Sequence, residues 1–202
     1  MEIYENNRTL VERELSFTRL IVRENALDRD GFDAWAFRPG MLFGGREQWW
    51  GSGRQRNYPH EGVDFLFYRN RSGSTARLGP ETRVPVMRDG TVVAIVKDFL
   101  GQSVFVVHRV HECGRPLLSI YGHTLPFGNV REGTLLKEGE ILGTLSASND
   151  AGAAAPPHLH VSLAWAASLE ACAGLDWSKI NDPALVALID PLPIVGGPYV
   201  LI

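Results

Sequence analysis

His60-Glu61-Gly62-Val63-Asp64-Phe65-Leu66-Phe67-Tyr68 is the stretch on which the fold turns. Its second half, Val63 to Tyr68, is β-branched and aromatic, a composition that suits a pleated, half-buried strand. A helix would set His60 and Asp64 on one face, four positions apart. A straight strand also puts them on one face, but with α-carbons roughly 13 Å apart. At metal-ligand bond lengths of about 2.0–2.2 Å, that is too far for both to reach one ion. The strand reading therefore requires the chain to bend between them, and Gly62 is the residue there that tolerates a bulge or a positive φ.

A second stretch, His158-Leu159-His160, carries the same logic. On a strand its two imidazoles project from one surface with α-carbons about 7 Å apart, while Leu159 and Val161 point into a core. Together with His123 in Tyr121-Gly122-His123, these stretches hold four of the six histidines. Gathered by a β framework, they read as a zinc site. Short strands at near-regular spacing surround them, at about 83–88, 91–98, 102–110, 116–122, 140–145 and 158–164. Such a series argues for an antiparallel sheet, sandwich or open barrel, and Asp89-Gly90 is a hairpin signal between two of its members. No internal repeat is evident.

In the order and spacing of these three motifs, residues 58 to 164 resemble the lysostaphin/LytM family of zinc endopeptidases, which cut peptide bonds in bacterial peptidoglycan. Val84-Pro85-Val86, Asp89-Gly90-Thr91-Val92-Val93-Ala94 and Lys137-Glu138-Gly139-Glu140-Ile141-Leu142-Gly143 look like that family's turn-and-strand punctuation. The resemblance implies a mainly β peptidase domain over 57–202, preceded by an irregular, partly helical extension over 1–56 packed on it. It also implies one zinc ion held by His60, Asp64 and His160, with His123 and His158 on the catalytic face. Two histidines and one carboxylate leave a fourth position for water, as in catalytic rather than closed structural zinc sites. No His-Glu-x-x-His supplies a general base, so His123 and His158 are the expected substitutes, one for the proton of water and one for the oxyanion or leaving nitrogen. Their roles are not separable by sequence. Glu61 points to the opposite face by parity and is not read as the base, and His108 and His111 are read as structural.

Three other classes compete. A relative that has lost ligands would be a binding or regulatory module of cell-wall hydrolysis, but here every ligand position is filled. A cupin-like metal protein would carry His-x-His early with a further His after it, whereas this chain has the pair late. A structural zinc domain is disfavoured because the four histidines available beside Asp64 exceed what closure needs, two of them lying just outside the ligand set.

Composition is consistent with one soluble globular domain: 202 residues, 45% hydrophobic and 21% charged. A formal charge of −3 gives no broad electrostatic case for nucleic acid or an anionic membrane, and no apolar run approaches a membrane span. A monomer is expected. Met1-Glu2-Ile3-Tyr4-Glu5-Asn6-Asn7 has neither the basic start nor the apolar core of a secretory signal. Read literally it argues for the cytoplasm, whereas the resemblance implies the cell envelope or secretion. Cys113 and Cys172 are expected as free thiols rather than a bridge.

The remaining segments carry local expectations. Residues 8–23 suit a partly amphipathic helix, and 182–188 a helix capped by Asp182 with Pro183 in its first turn. Arg69 to Pro80 reads as an exposed loop. Phe32, Trp35, Phe37, Phe43, Trp49 and Trp50 lie in an irregular stretch and are expected to cover the back of the sheet. The competing reading has Trp49 and Trp50 walling a substrate groove. Leu125 to Glu132 and Ser146 to Pro157 are expected as loops beside the site.

Overall fold

The computed structural model describes residues 17–147 and 155–202. Strands are numbered in chain order. The two longest, β7 (Gln102–Glu112) and β8 (Arg115–Pro126), form a hairpin. Its turn is Cys113-Gly114, with φ of 50° and 79°, a left-handed pair whose twist matches that of the strands it joins. From this hairpin a nine-stranded sheet extends in the order β12 (Val186–Ile189), β11 (Leu159–Ala166), β8, β7, β6 (Gly90–Lys97) and β9 (Leu135–Leu136). Off that path, β2 (Val63–Phe65) pairs with β11, and β10 (Ile141–Leu145) pairs with both β8 and β5 (Arg83–Pro85). A smaller sheet runs β13 (Tyr199–Leu201), β1 (Phe32–Phe37), β3 (Phe67–Asn70) and β4 (Thr75–Arg77). All pairings are antiparallel except β1 with β13. The fold is mainly β, built of open antiparallel sheets as the strand series predicts.

The period of two along β11 divides the interior. Leu159, Val161 and Leu163 enter a core shared with Trp35, Phe37, Phe65, Tyr121 and with Phe17, Leu20 and Ile21 of helix α1 (Phe17–Glu24). Ala164 and Ala166, of the other parity, join Phe105, Leu118, Ile120, Leu175 and Ile180 in a second cluster. His160 and Ser162 share the parity of this second face.

Several local expectations are corrected. Asp89-Gly90 does not join a hairpin, because β5 pairs with β10 rather than with β6. The Asp89 carboxylate instead accepts from the Glu138 amide at 2.9 Å and from Lys137 Nζ at 3.0 Å. The tight turn falls at Cys113-Gly114, where a cysteine takes the left-handed position that Asn or Asp usually fills. Arg69 to Pro80 is largely the β3–β4 hairpin. The stretch after Asp182 is not a helix: Asp182 caps a single turn, its Oδ1 accepting from the Ala184 amide at 2.9 Å, and Val186–Ile189 then pairs with β11. Sheet pairing outcompetes a helix-start signal here. The helix expected over 8–23 is seen as Phe17–Glu24, its earlier part lying outside the described residues. The irregular aromatic stretch contains strand β1, which seats Trp35 and Phe37 in the core. Both cysteines are free, Cys113 exposed and Cys172 buried.

Gly62 bends the chain as expected, but without a positive φ. Its requirement is closeness: a β-carbon there would lie 2.2 Å from the Val161 carbonyl oxygen and 2.8 Å from Ser162 Oγ. Gly62→Ala should therefore destabilise the fold by about 1–3 kcal/mol through overpacking, measured as a lowered urea midpoint. An unchanged midpoint would show that β2 and β11 can separate without loss.

Candidate metal centre

Register places the first residues of the site. β11 lies between β2 and β8, with His160 opposite Asp64 on one side and opposite Gly122 on the other. Gly122 leaves room for the imidazole, since a β-carbon there would come within 3.1 Å of His160 Cβ. The bend at Gly62 then returns His60 to the same point. His60 Nε2 is 3.1 Å from Asp64 Oδ1 and 3.1 Å from His160 Nδ1, and His160 Nδ1 is 2.8 Å from Asp64 Oδ1. Tetrahedral ligands at zinc bond lengths stand roughly 3.3 Å apart, so the three buried donors form a cluster of the size one ion needs.

The outward nitrogens fix how these rings face. His60 Nδ1 donates to the Leu42 carbonyl at 3.0 Å, and His158 Nδ1 donates to the Pro156 carbonyl at 2.8 Å. His160 Nε2 lies 2.7 Å from Ser162 Oγ. In the neutral tautomer with its Nε2 proton on that hydroxyl, His160 keeps a lone pair on Nδ1, facing the cluster. Imidazoles anchored by an outer oxygen and bare on the inner side are the arrangement of metal-ligating histidines. Burial pushes His160 down to about 4, against the pull of Asp64, which favours the neutral ligand form. Burial alone would raise the Asp64 carboxyl, but His60, His158 and His160 outweigh it and hold it well below the usual carboxylate range.

His158 and His123 complete the ring of imidazoles. His158 Nε2 is 3.5 Å from Asp64 Oδ1, and its ring centroid is 4.6 Å from that of His123. Simple alternation along β8 would send His123 to the face of Tyr121, opposite that of His160. A slip in the β7–β8 register between Gln102 and Val104, together with a φ of 62° at His123, brings it to the site instead. The carboxylate of Asp98 stabilises this left-handed residue: Oδ2 accepts from the His123 amide at 2.9 Å, while Oδ1 lies 3.1 Å from His123 Nδ1 without the alignment of a regular hydrogen bond. Burial lowers His123, with Asp98 opposing the shift. Burial would raise Asp98, but His123 and Ser103 hold it below the usual range.

These groups line an open cavity of about 480 Å³. Trp50 and the 60% exposed Phe99 stack across it with centroids 6.3 Å apart, and Arg56, Glu61 and Lys97 supply charge.

The model of peptidase family M23 matches residues 59–170, more than half of the chain. The protein belongs to peptidase family M23. The resemblance drawn from the three motifs is thereby borne out. No match emerges from comparison with curated proteins. Among solved structures, the catalytic domain of the antimicrobial peptidase lysostaphin from Staphylococcus simulans is similar at 20% identity and a TM-score of 0.48, over 76% of this chain and 88% of that one. LytU is similar at 19% identity and 0.45, over 75% and 79%. Csd3 of Helicobacter pylori is similar at 23% identity and 0.39, over 67% of this chain and 30% of that protein.

The residues singled out by sequence, His60, Asp64, His123, His158 and His160, all meet at one site. Sequence reasoning missed Asp98, Ser162, Arg56 and Trp177. Trp177 Nε1 donates to Ser103 Oγ at 3.0 Å, and its ring lies 5.3 Å from that of His160. Asp98, Arg56 and Trp177 have no local signal, because each arrives by tertiary pairing, whereas Ser162 has one: it stands two residues after His160 on the same face of β11. Trp49 joins the main core yet lies with its ring 5.0 Å from that of His158, while Trp50, 6.3 Å from His158, lines the cavity as the competing reading has it. Glu61 lines the cavity margin and accepts from Asn181 Nδ2 at 3.2 Å. His108 lies away from the site. It is buried, with Nε2 2.8 Å from Ser119 Oγ and Nδ1 3.1 Å from the Asp89 carbonyl.

Burial pushes His108 down to about 4. The unfolded chain, titrating near its ordinary value of about 6.5, then binds a proton that the folded chain refuses. Stability from this residue is lost as pH falls from about 6.5 to 4. His108→Gln should remove roughly 1.4 kcal/mol per pH unit from the slope in that window. Urea unfolding of both proteins at several pH values checks this, and parallel slopes would refute it.

Proposed function

We propose that this M23 protein is a zinc-dependent endopeptidase that hydrolyses peptide bonds in peptidoglycan cross-links or stem peptides. The observation that carries this reading is the buried His60, Asp64 and His160 donor set, with contacts of 2.8–3.1 Å, opening on a cavity flanked by two further imidazoles. The donor chemistry fits zinc, since nitrogen from neutral histidine and oxygen from a carboxylate are its usual ligands. Zinc bound there supplies Lewis acidity toward a peptide carbonyl and toward water.

The chain's own groups do the rest. His158, its Nδ1 proton committed to Pro156, offers a bare Nε2 to the cavity and is suited to accept a proton from water. His123, beside the Asp98 carboxylate, is suited to carry a proton to the oxyanion or the departing amine. Trp50 and Phe99 give the cavity flat apolar walls against which an extended peptide can lie. We further take residues 1–56 as an N-terminal extension to a peptidase domain of 57–202; packing of its described part on that domain is supported by the core that Phe17, Leu20 and Trp35 share with Phe65 and Tyr121. The protein is read as a monomer acting in the cell envelope or outside the cell. No helix among the described residues is long and apolar enough to cross a membrane.

Purified peptidoglycans of differing cross-bridge type, digested and analysed by mass, test the proposal. New amino termini within peptides are expected, abolished by a chelator and restored by zinc. His123→Ala should retain zinc yet lose about 10²–10⁴-fold in turnover, whereas His160→Ala should lose the metal. Tight binding to peptidoglycan with no bond cut would favour a regulatory module instead.

A further inference from the structure

We propose that Trp49, ahead of the first ligand in sequence, is a positioning residue that makes Asp64 a single-oxygen metal ligand, with Arg56 behind it. This rests on the metal reading above. The two oxygens of the buried Asp64 carboxylate have separate surroundings. Oδ1 faces the imidazoles, 3.1 Å from His60 Nε2, 2.8 Å from His160 Nδ1 and 3.5 Å from His158 Nε2. Oδ2 faces away, accepting the Trp49 Nε1 proton at 2.6 Å, with an Arg56 terminal nitrogen 3.6 Å distant.

Both outer groups are themselves held. The Trp49 ring is 8% exposed and packs edge-on against Trp50, Phe67 and His158, with centroids 5.3, 6.4 and 5.0 Å away. The Arg56 guanidinium lies over the Trp50 ring at 5.1 Å and donates to the carbonyls of Gly40 and Glu47 at 2.7 and 3.0 Å. An indole N–H is a donor only, so Trp49 can hold Oδ2 but can never bind the ion. A carboxylate left free on both oxygens can chelate through both. That would occupy the position which a catalytic site keeps open. By this geometry the segment preceding the motif is a working part of the metal site, and not only a cover for it.

The test uses the full chain. Zinc affinity is measured by competition with a chromogenic chelator, and coordination number by the visible absorption of the cobalt(II)-loaded protein. Trp49→Phe keeps the ring and removes the N–H. It should weaken zinc binding about 10–100-fold and reduce the cobalt absorption toward the weaker bands of five-coordinate ions. A purely packing role for Trp49 would not change the coordination number. If Trp49→Phe fails to fold, benzothienylalanine incorporated at position 49 removes the same N–H from an isosteric ring, and should behave alike. Zinc affinity within about threefold of wild type, with an unchanged cobalt spectrum, would overturn the inference while leaving the metal site standing. Failure of the wild-type protein to take up either metal, with His160→Ala no different, would instead remove the metal reading itself.

Discussion

The pairing of β11 between β2 and β8 is the constraint on which the rest depends. It sets Asp64, His160 and Gly122 in a row across three strands. A slip of one residue would exchange the two faces of β11. Leu159, Val161 and Leu163 would leave their core, and His160 would turn into it. The apolar face therefore protects the polar one: the same alternation that buries three aliphatic side chains fixes where one imidazole stands. Gly62 and Gly122 serve this row from either side, the first by letting the backbone of β2 reach Val161 closely, the second by leaving space for the His160 ring.

Around that row the polar groups are buried to an extent that is costly unless each has a partner. Asp64 is 1% exposed, and His60, His123, His158 and His160 are all buried. The outward atoms of three of the histidines are satisfied by fixed oxygens, the carbonyls of Leu42 and Pro156 and the hydroxyl of Ser162, while His123 Nδ1 lies 3.1 Å from Asp98 without a regular hydrogen bond. Their inner atoms converge on one another. A carboxylate amid four imidazoles is an environment that could hold a small divalent cation, which would take up the lone pairs that the histidines otherwise direct at each other. The left-handed backbone at His123 belongs to the same balance. A non-glycine residue there carries strain of order 1–3 kcal/mol, and the Asp98 carboxylate, binding the His123 amide, opposes it.

The parts legible in the sequence were those with local cause. Val63 to Tyr68 and Leu159 to Val161 declare strands by composition and alternation, and His-x-x-x-Asp, Tyr-Gly-His and His-x-His declare donors by spacing. The bend between His60 and Asp64 followed from bond lengths alone, although the reason for Gly62 proved to be the nearness of Val161 rather than its own φ. What escaped depends on distant partners. Nothing near Asp98 announces that it will face His123, and although its place ahead of His60 allows Trp49 as a groove wall, nothing near it announces that its N–H will hold Asp64. The turn at Cys113-Gly114 lacked its usual residues, and the helix expected after Asp182 gave way to pairing with β11. Residues 148–154 of the second flanking loop lie outside the described residues, as do 1–16.

The members of the candidate metal cluster come from opposite ends of the peptidase region, His60 and Asp64 on one side and His160 a hundred positions later. Contacts at such separation form late, because long loops must close before they are rewarded. During synthesis the chain therefore carries two of the three candidate donors for about a hundred residues before the third is made. Only when β11 emerges and inserts between strands made long before does the cluster exist. The candidate site is thus assembled only once β11 has paired with β2 and β8, and a chain still short of that strand lacks it.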